Sequence, residues 1–255
     1  MAEGSAPERS TMRSVERTFD VIDTLADSGR PLRLAELARG ADLHIATAQR
    51  ILKVLERRDF VTQSAGNYTV GPAALAAAHS YLIGNQLVLA ATPVLQELAE
   101  ALGLTASLSV RVGDARVLVA RVEGGSPLRY QLPIGGRLPL HLGAGKMFLA
   151  ELPAAERAEV LDKLGEELVM AGGEKVSRAE FAARLDEIAA RGYAISRNER
   201  VVGALSVAAP VRSRDGEVLG VVQVSGRDED VDDARLKEAE REVVNACASI
   251  AARTH

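Results

Sequence analysis

A helical face that carries three cations and no carboxylate is predicted within residues 43–58. At about 100° per residue, this face collects Ala46, Thr47, Arg50, Lys53 and Arg57. The opposite face is apolar and should pack on its own domain through Ala48, Ile51, Leu52 and Leu55, with Ile45 nearby. Cations in this arrangement can neutralise phosphates and donate hydrogen bonds to base edges. Recognition of DNA is therefore the chemistry that this spacing could support.

A tight turn would position this helix. Leu34, Leu37 and Ala38 recur at helical spacing and predict a shorter helix before it. Gly40 and Asp42 interrupt the pattern, because glycine tolerates positive φ and aspartate can cap the next helix. This combination indicates a helix-turn-helix whose second helix enters the major groove. An ordinary helical hairpin with a solvated basic face fits the two helices equally well.

A small hairpin directly after the second helix favours the DNA-binding interpretation. Residues 60–63 and 68–70 are rich in β-forming side chains, and residues 64–67 between them are typical of a turn. Such a hairpin is the wing of a winged helix-turn-helix. Upstream, Ser14 is expected to cap a first helix that Gly29 and Pro31 end. The expected apolar stripe of that helix is Val15, Phe19, Ile22 and Leu25.

The remainder of the chain predicts a helix followed by an α+β domain. A nearly continuous helix is expected after Gly71-Pro72, with weak points at Gly84 and Pro93. Its alanine-rich start, residues 73–78, is interpreted as a linker and dimer contact, with a plain spacer helix as the alternative. Strands are expected from Thr105, including one at 127–132, then helices at 154–164 and 177–191, more strands, and a last helix from Asp233. The helix at 177–191 is expected to be capped by Ser177 with Glu180 and to end before Gly192. This order indicates a mostly antiparallel sheet.

Four segments follow from this pattern. They are a disordered tail at 1–11, a winged helix-turn-helix domain at 12–72, a linker helix at 73–90 and the α+β domain at 91–255. The net charge of −4 argues against non-specific coating of nucleic acid. Within residues 43–58, however, four basic residues face one acidic residue, giving +3. A locally basic helix is typical of a sequence-specific DNA-binding protein.

Composition narrows the compartment and the possible ligands. Cys247 is the only cysteine, so an intramolecular disulfide is excluded and a buried, inert thiol is expected. No apolar run reaches the length of a membrane span, and the polar start lacks the apolar region of a signal peptide. We therefore expect a cytoplasmic protein without a membrane partner. The four histidines lack metal-ligand spacing, and no cofactor is expected.

Motifs of catalysis are not recognised in the sequence. Residues 142–146, LGAGK, resemble the end of a phosphate-binding loop, but that motif requires glycine in place of Leu140 and Ser or Thr in place of Met147. No G-x-S-x-G element occurs. The acidic run at 228–230, together with Asp232 and Asp233, lacks the spacing of a calcium loop and is interpreted as a solvated helix start. An enzyme is therefore not expected, whereas a protein-interaction module or metabolite sensor of the same fold without DNA binding is the alternative.

With these elements in place, the chain resembles the IclR family of bacterial transcriptional regulators over nearly its whole length. The N-terminal resemblance lies in SVERTFDVIDTLADSGRPLRLAELARGADLHIATAQRILKVLERRDFV and NYTVGP. The C-terminal resemblance lies in GRLPLHLGAGKMFLAELP and RGYAISRNERVVGALSVAAPVRSRDGEVLGVVQVSG. It implies a winged-helix domain, a linker helix and a GAF-like effector-binding domain. It also implies a homodimer or tetramer that binds double-stranded operator DNA, more often as a repressor, under control of a small organic or aromatic acid.

The DNA contacts expected from this resemblance centre on the second helix. We expect Arg50 to contact a base edge and His44, Thr47 and Gln49 to contact bases or phosphate. Ala46 stands where the family often has a polar residue, and its methyl group suits a thymine methyl. Phosphate contacts are expected from the cations Lys53, Arg57 and Arg17 and from the wing.

The effector contacts expected from it fall in four segments. The peptide N–H groups near a helix start can hold a carboxylate, which nominates His141, Gly143, Ala144 and Gly145. By family position, the polar side chains that face the cavity are Ser196, Ser206, Gln223 and Ser225. The family often has an acidic residue in place of Ser196 and cysteine in place of Ser206. Ordinary strand or loop polarity is the alternative for each of these residues.

Overall fold

The computed structural model describes residues 6–125 and 132–254, with side chains from Met12 onward. Its contacts divide the chain into two compact units, Met1–Tyr81 and Leu82–His255, each of which is considered by itself. The expected strand at 127–132 lies almost wholly outside the described residues. Among those that are described, no single helix is long and apolar enough to cross a membrane; α4 and α5, defined below, meet that criterion only as a bent pair.

The first unit consists of four helices and a three-stranded sheet. In chain order they are α1 (Ala6–Ser28), β1 (Leu32–Arg33), α2 (Leu34–Gly40), α3 (Ile45–Glu56), β2 (Val61–Ser64), β3 (Asn67–Val70) and α4 (Ala73–Gly84). Its core joins α1, α2 and α3 to the sheet through Val21, Leu37, Leu52, Val61 and Tyr68. The predicted order of three helices followed by a hairpin is confirmed.

The first helix differs from the expectation in its start and in its buried face. It already begins at Ala6, so Ser14 lies inside the helix and accepts a hydrogen bond from Thr18 instead of capping the N-terminus. Of the expected 1–11 tail, residues 1–5 lie outside the described part. Val15 and Phe19 are 52% and 60% exposed, while Val21 and Leu25 are buried. The apolar stripe therefore extends along α1 beyond the part that the core of this unit covers.

In the turn between α2 and α3, Gly40 and Asp42 do not take the roles that the sequence predicted for them. Asp42 takes the positive φ, at 50°, and His44 is the N-cap of α3, with no side-chain hydrogen bond. Gly40 ends α2, and a Cβ there would lie 2.6 Å from Cγ2 of Thr24, so glycine permits close approach of α1 and α2. Ile45, expected near the packed face, is 55% exposed because α3 starts with it at the end of the turn.

The wing is an antiparallel hairpin with one additional strand. β2 and β3 pair from Val61–Val70 to Ser64–Asn67, which leaves a two-residue turn at Ala65 and Gly66. Both turn residues have positive φ, 48° and 78°, as a type I′ turn requires. β1 pairs with β3 on its other edge. The sequence did not predict β1, because two residues are too short for a strand pattern.

The predicted long helix is two helices. α4 ends at Gly84, one of the two predicted weak points. The side chain of the next residue, Asn85, caps α5 (Gln86–Leu102) by accepting a hydrogen bond from the N–H of Val88. Pro93, the other weak point, lies inside α5 without ending it. No residue of α4 is buried, whereas Leu87, Val88 and Ala91 of α5 are core residues of the second unit. The expected linker at 73–90 therefore includes the start of that core.

The second unit is built on one six-stranded antiparallel sheet. Its other elements are β4 (Thr105–Val112), β5 (Ala115–Val122), β6 (Arg137–Pro139), α6 (Gly145–Glu151), α7 (Ala154–Lys163), β7 (Glu167–Val169), β8 (Lys175–Ser177), α8 (Arg178–Arg191), β9 (Ala194–Arg197), β10 (Ala204–Arg212), β11 (Val218–Arg227) and α9 (Asp233–Arg253). The strand order is β6-β5-β4-β11-β10-β9. The predicted antiparallel α+β fold is confirmed, and the short β7–β8 hairpin was not predicted.

Helices cover both faces of this sheet. α5 and α9 pack on one face against Leu108, Val207 and Val222, forming one apolar core. α6 and α8 pack on the other face with Ala208 and Val221, forming a second core. The capping predicted for α8 is confirmed, since Ser177 accepts from the N–H of Glu180 and Gly192 follows the helix at φ 81°. Side chains on either face are therefore shielded from water wherever a helix lies over them.

The buried side of α3 should dominate the stability of the first unit. Replacing the fully buried Leu52 by alanine is expected to lower its free energy of unfolding by about 2–5 kcal/mol, because a cavity replaces the lost packing. Val54→Ala, on the same helix but exposed, serves as the control and should change it by less than about 0.5 kcal/mol. Urea unfolding followed by circular dichroism measures both. Equal effects would contradict the orientation of α3.

Candidate DNA-binding surface and effector cavity

The packed face of α3 fixes which side chains point away from the protein. Ala48, Ile51, Leu52 and Leu55 are buried, as predicted. The predicted DNA-contacting residues of this helix and its cap lie on the remaining surface, where Thr47 is half-buried and the others are exposed: His44, Ala46, Gln49, Arg50, Lys53 and Arg57. The geometry therefore offers one continuous polar and cationic face along α3.

The side chains that the structure describes do not neutralise the cations of this face. Within the described part of the chain, Arg50, Lys53 and Arg57 have no ion pair; Nε of Arg50 donates only to the carbonyl oxygen of Ala46, at 3.4 Å. By contrast, surface cations of the second unit such as Arg178 and Arg184 are paired with carboxylates. Unpaired arginine and lysine side chains retain their donors and charge for an external anion.

The other expected contacts in this unit are exposed, and the carboxylates lie elsewhere. Arg17 is exposed on α1, and the wing presents Thr62, Gln63 and Ser64 as polar, uncharged side chains. Asp20, Asp23, Asp27 and Asp42 line a groove beside the α2–α3 turn together with Thr24 and Gly40. The unit is thus neutral in sum but divided into a basic helix face and an acidic groove.

The second unit contains two adjoining cavities on the α6 side of the sheet. The strand register aligns Ser196, Ser206, Ser225 and Thr105 in one row across β9, β10, β11 and β4. The next row places Gln223 beside Ser107. Among the described residues, one cavity is lined by polar groups of β4, β5 and β11, and the other by Gly143, Glu199 and the serine row. They share Arg116, Arg200, Gln223 and Ser225.

Five of the eight predicted effector residues line these cavities, namely Gly143, Ser196, Ser206, Gln223 and Ser225. The other three, His141, Ala144 and Gly145, are not among the described lining residues. Ala144 is completely buried, and a Cβ at Gly145 would lie 2.5 Å from the carbonyl oxygen of Leu140. Burial lowers the pKa of His141, and its buried Nδ1 has no hydrogen-bond partner in the described part.

A carboxylate of the protein itself occupies the start of α6. Oε2 of Glu199 accepts from the N–H of Gly143 at 3.0 Å, and its Oε1 is paired with the ammonium of the buried Lys146. Lys146 also donates to the carbonyl oxygen of Ile195 at 3.3 Å. The N–H of Gly145 is directed to the carbonyl oxygen of Leu142. The amides expected to hold a ligand carboxylate at Gly143 and Gly145 are therefore already engaged.

Arg116 is the cavity residue that the sequence prediction missed. It is only 4% exposed, and its Nη1 donates to Oγ of Ser109 at 3.1 Å. Burial lowers the pKa of Arg116 to about 10, assisted by the positive charge of Arg200, so the group stays protonated at neutral pH. Side chains of β5 alternate between the two faces of the sheet, and Arg116 lies on the same face as the buried Leu118. An arginine on a buried strand face is the sequence signal that could have identified this residue.

The remaining reactive or acidic groups have structural roles. Cys247 is buried and donates to the carbonyl oxygen of Ala209, and burial raises its pKa to about 12, which confirms the predicted buried thiol. Asp228 and Asp230 pair with Arg197 and Arg227, and Asp232 caps α9. Residues 228–230 form a short 3₁₀ helix, whereas Asp232 and Asp233 lie at the N-terminus of α9, so the predicted helix start is confirmed for these last two acidic residues only. No group of three or more potential metal ligands occurs in the described ranges.

Comparison with known proteins agrees with both units. A family model described as the IclR helix-turn-helix domain matches residues 14–65, and one described as the bacterial transcriptional regulator IclR C-terminal domain matches residues 79–252. Among curated proteins, the HTH-type transcriptional repressor AllR of Klebsiella pneumoniae is 32% identical over 84% of this chain and 79% of its own length. The HTH-type transcriptional regulator BhcR of Paracoccus denitrificans is 31% identical over 96% of this chain and 88% of its own.

Solved structures show the same fold. An IclR transcriptional regulator from Alicyclobacillus acidocaldarius superposes with a TM-score of 0.83 at 24% identity, covering 95% of this chain and 99% of that one. A regulator from Brucella abortus gives a TM-score of 0.79 at 22% identity, covering 99% and 96%. With the two family models together matching well over half of its residues, the chain belongs to the IclR family of bacterial transcriptional regulators.

Proposed function

We propose that the protein is a transcriptional repressor that binds a specific operator through α3 and releases or retains it according to a small organic acid bound in the second unit. The observation that carries this proposal is the set of cations on the outer face of α3, which have no ion pair among the described residues. Curated relatives that span most of this chain are named repressors, among them AllR of Klebsiella pneumoniae and IclR of Escherichia coli.

Operator recognition divides between base and phosphate contacts. Arg50 lies in the middle of the exposed face of α3, where a guanidinium can donate two hydrogen bonds to a guanine edge. Thr47 and Gln49 would contact neighbouring bases, and Ala46 would contact a thymine methyl group, since all three side chains reach the surface of α3. Lys53 and Arg57 lie closer to the C-terminal end of α3 and would neutralise phosphates, which fix position without reading sequence.

A homodimer or tetramer is proposed because one α3 covers only part of a regulatory site. Two such helices would bind half-sites about one helical turn of DNA apart, or a multiple of that spacing. The exposed apolar side chains Val15 and Phe19 on α1 and Leu75 and Ile83 on α4 support association, since their burial against a second copy would remove them from water. Such a regulator would act in the cytoplasm, where the chromosome is.

Control by an acid follows from linkage between the two units. A ligand that fills the cavities of the second unit changes DNA affinity only if it binds one arrangement of the protein better than another. The reciprocal effect must then hold, so operator DNA changes the affinity for the acid by the same factor. The relative BhcR is named a regulator and the two relatives above are named repressors, which supports a role in controlling transcription.

Arg50 should determine one position of the operator. Sites are first selected from a pool of random duplexes with the wild-type protein. Arg50→Ala is then expected to reduce affinity for the selected site by about 1–3 kcal/mol and to broaden the base preference at one position in each half-site. The matched control is Arg184→Ala, which removes the same charge from α8 in the second unit. An unchanged preference for the Arg50 variant would contradict its assignment as a base contact.

Lys53 should behave as a phosphate contact. Lys53→Gln is expected to weaken binding to all duplexes by a similar factor and to reduce the slope of log affinity against log salt by about one per site occupied. Its base preference should match that of the wild type. Mobility-shift titrations at several salt concentrations measure both quantities.

The same titrations distinguish a DNA-binding regulator from an interaction module of this fold. A regulator loses affinity steeply as salt rises and prefers its selected site over random duplex, because phosphate contacts release counterions and base contacts discriminate. A protein that bound neither duplex at low salt would contradict the proposed function.

A further inference from the structure

Arg116 is a buried cation for which the described part of the chain supplies no carboxylate. Its guanidinium has one side-chain hydrogen bond, to Ser109, and its Nε is buried without a partner. Burying an ion without a counter-charge costs several kcal/mol, so proteins pair such groups or neutralise them. A guanidinium remains charged here at neutral pH, and its planar array of donors matches a carboxylate. Glu199 lines one of the two cavities with Arg116, but its carboxylate is paired with Lys146, so Arg116 has no counter-charge of its own among the described residues.

Gln223 supplies a second unsatisfied group in the same space. Its Oε1 is buried and has no donor in the described part, and the residue lines both cavities beside Arg116. An amide oxygen can only accept a hydrogen bond. Arg116, Arg121 and Arg200 all line the first cavity, so a cationic donor such as an ammonium would be repelled. A neutral hydroxyl group suits Gln223 best.

The competing anion site at α6 is closed by the protein. Glu199 accepts from Gly143 and is paired with Lys146, so a second carboxylate there would face a like charge. Gly143 nevertheless lies close to Arg116, since a Cβ at this glycine would be 3.6 Å from Nη2. A ligand can therefore lie next to Gly143 while its carboxylate binds the guanidinium of Arg116.

The cavities are small. Their volumes are about 40 and 30 Å3. One water-sized group needs at least about 10–15 Å3, so each cavity accommodates roughly two to four such groups. A chain of a few heavy atoms fits this space as it stands, whereas an aromatic ring with two substituents requires the walls to move.

We propose that the effector is a short-chain hydroxycarboxylate whose carboxylate binds the Arg116 guanidinium and whose hydroxyl donates to Oε1 of Gln223. The hydroxyl groups of Thr105, Ser107, Ser206 and Ser225, which line the cavities, supply the remaining hydrogen bonds. The inference rests on the proposed function, because it identifies the chemical class of acid that controls the regulator. It makes Arg116 and Gln223 the residues that determine ligand specificity.

The test uses four probes and the full-length protein. Lactate has both groups, propanoate only the carboxylate, lactamide only the hydroxyl, and 4-hydroxybenzoate both groups on a larger body. Calorimetry and thermal unfolding of the wild type should rank lactate first, propanoate second and lactamide last, because a ligand of the folded state raises its melting temperature. No binding of lactate, or tighter binding of lactamide or 4-hydroxybenzoate, would overturn the proposal.

Two cavity variants and a matched control assign the groups. Arg116→Met is expected to raise the Kd of lactate and propanoate roughly tenfold to a hundredfold, and to leave the melting temperature of the free protein unchanged or higher because an unpaired buried charge is removed. Gln223→Met should make lactate no better than propanoate. Arg111→Met is the control, because Arg111 lies opposite Arg116 on the neighbouring strand but forms an ion pair with Glu156 outside the cavity. The Kd of this variant for lactate should match that of the wild type.

The variants also separate this inference from a structural role for Arg116. A lower melting temperature or failure to fold on Arg116→Met would show that the arginine stabilises the fold, and would overturn the proposal. Arg116→Lys keeps the charge but loses the planar donor array, so it should bind lactate more weakly than wild type and more tightly than Arg116→Met. Lactate binding without operator binding would contradict only the proposed function, and operator binding without lactate binding would contradict only this inference.

Discussion

The burial of one side of α3 is the constraint on which the function of the first unit depends. Ala48, Ile51, Leu52 and Leu55 must leave water together, because they lie on one side of a helix that packs against α1, α2 and the wing. Their burial leaves Arg50, Lys53 and Arg57 no alternative but the outer surface. The face that can bind a duplex is therefore a consequence of core packing, and the absence of ion pairs on it within the described residues keeps those charges available.

The second unit applies the same logic to a sheet with two covered faces. Side chains alternate along β4 and β11, so apolar residues such as Leu108 and Val222 reach the core under α5 and α9, while Ser107 and Gln223 point to the other side. On that other side α6 and α8 cover only part of the sheet with apolar contacts. The remainder is a polar, enclosed surface, and enclosure strengthens every hydrogen bond and charge that a ligand can make there.

Two buried cations in this region differ in whether the described part of the protein supplies their counter-charge. Lys146 has its counter-charge within the protein, since Glu199 reaches it from the β9–β10 connection. Arg116 has a hydroxyl and no described carboxylate. The Lys146–Glu199 ion pair occupies the start of α6, which is therefore unavailable to another anion. Arg116, by contrast, has no carboxylate partner among the described residues. This difference favours the β5 side of the cavities over the helix start for the ligand carboxylate that we propose.

The sequence by itself determined the order of elements, the buried and exposed sides of α3 and the antiparallel sheet, because these depend on local periodicity. Together with the resemblance to a family, it also identified the serines at positions 196, 206 and 225 as residues that line the cavity. Tertiary structure decided which apolar residues of α1 find a neighbour, why Asp42 and not Gly40 takes the positive φ, and that Glu199 reaches Gly143, a residue 56 positions away. It also placed Arg116 beside Gln223 in one cavity. Such long-range contacts leave no local pattern, because they depend on how distant strands and helices pack against one another.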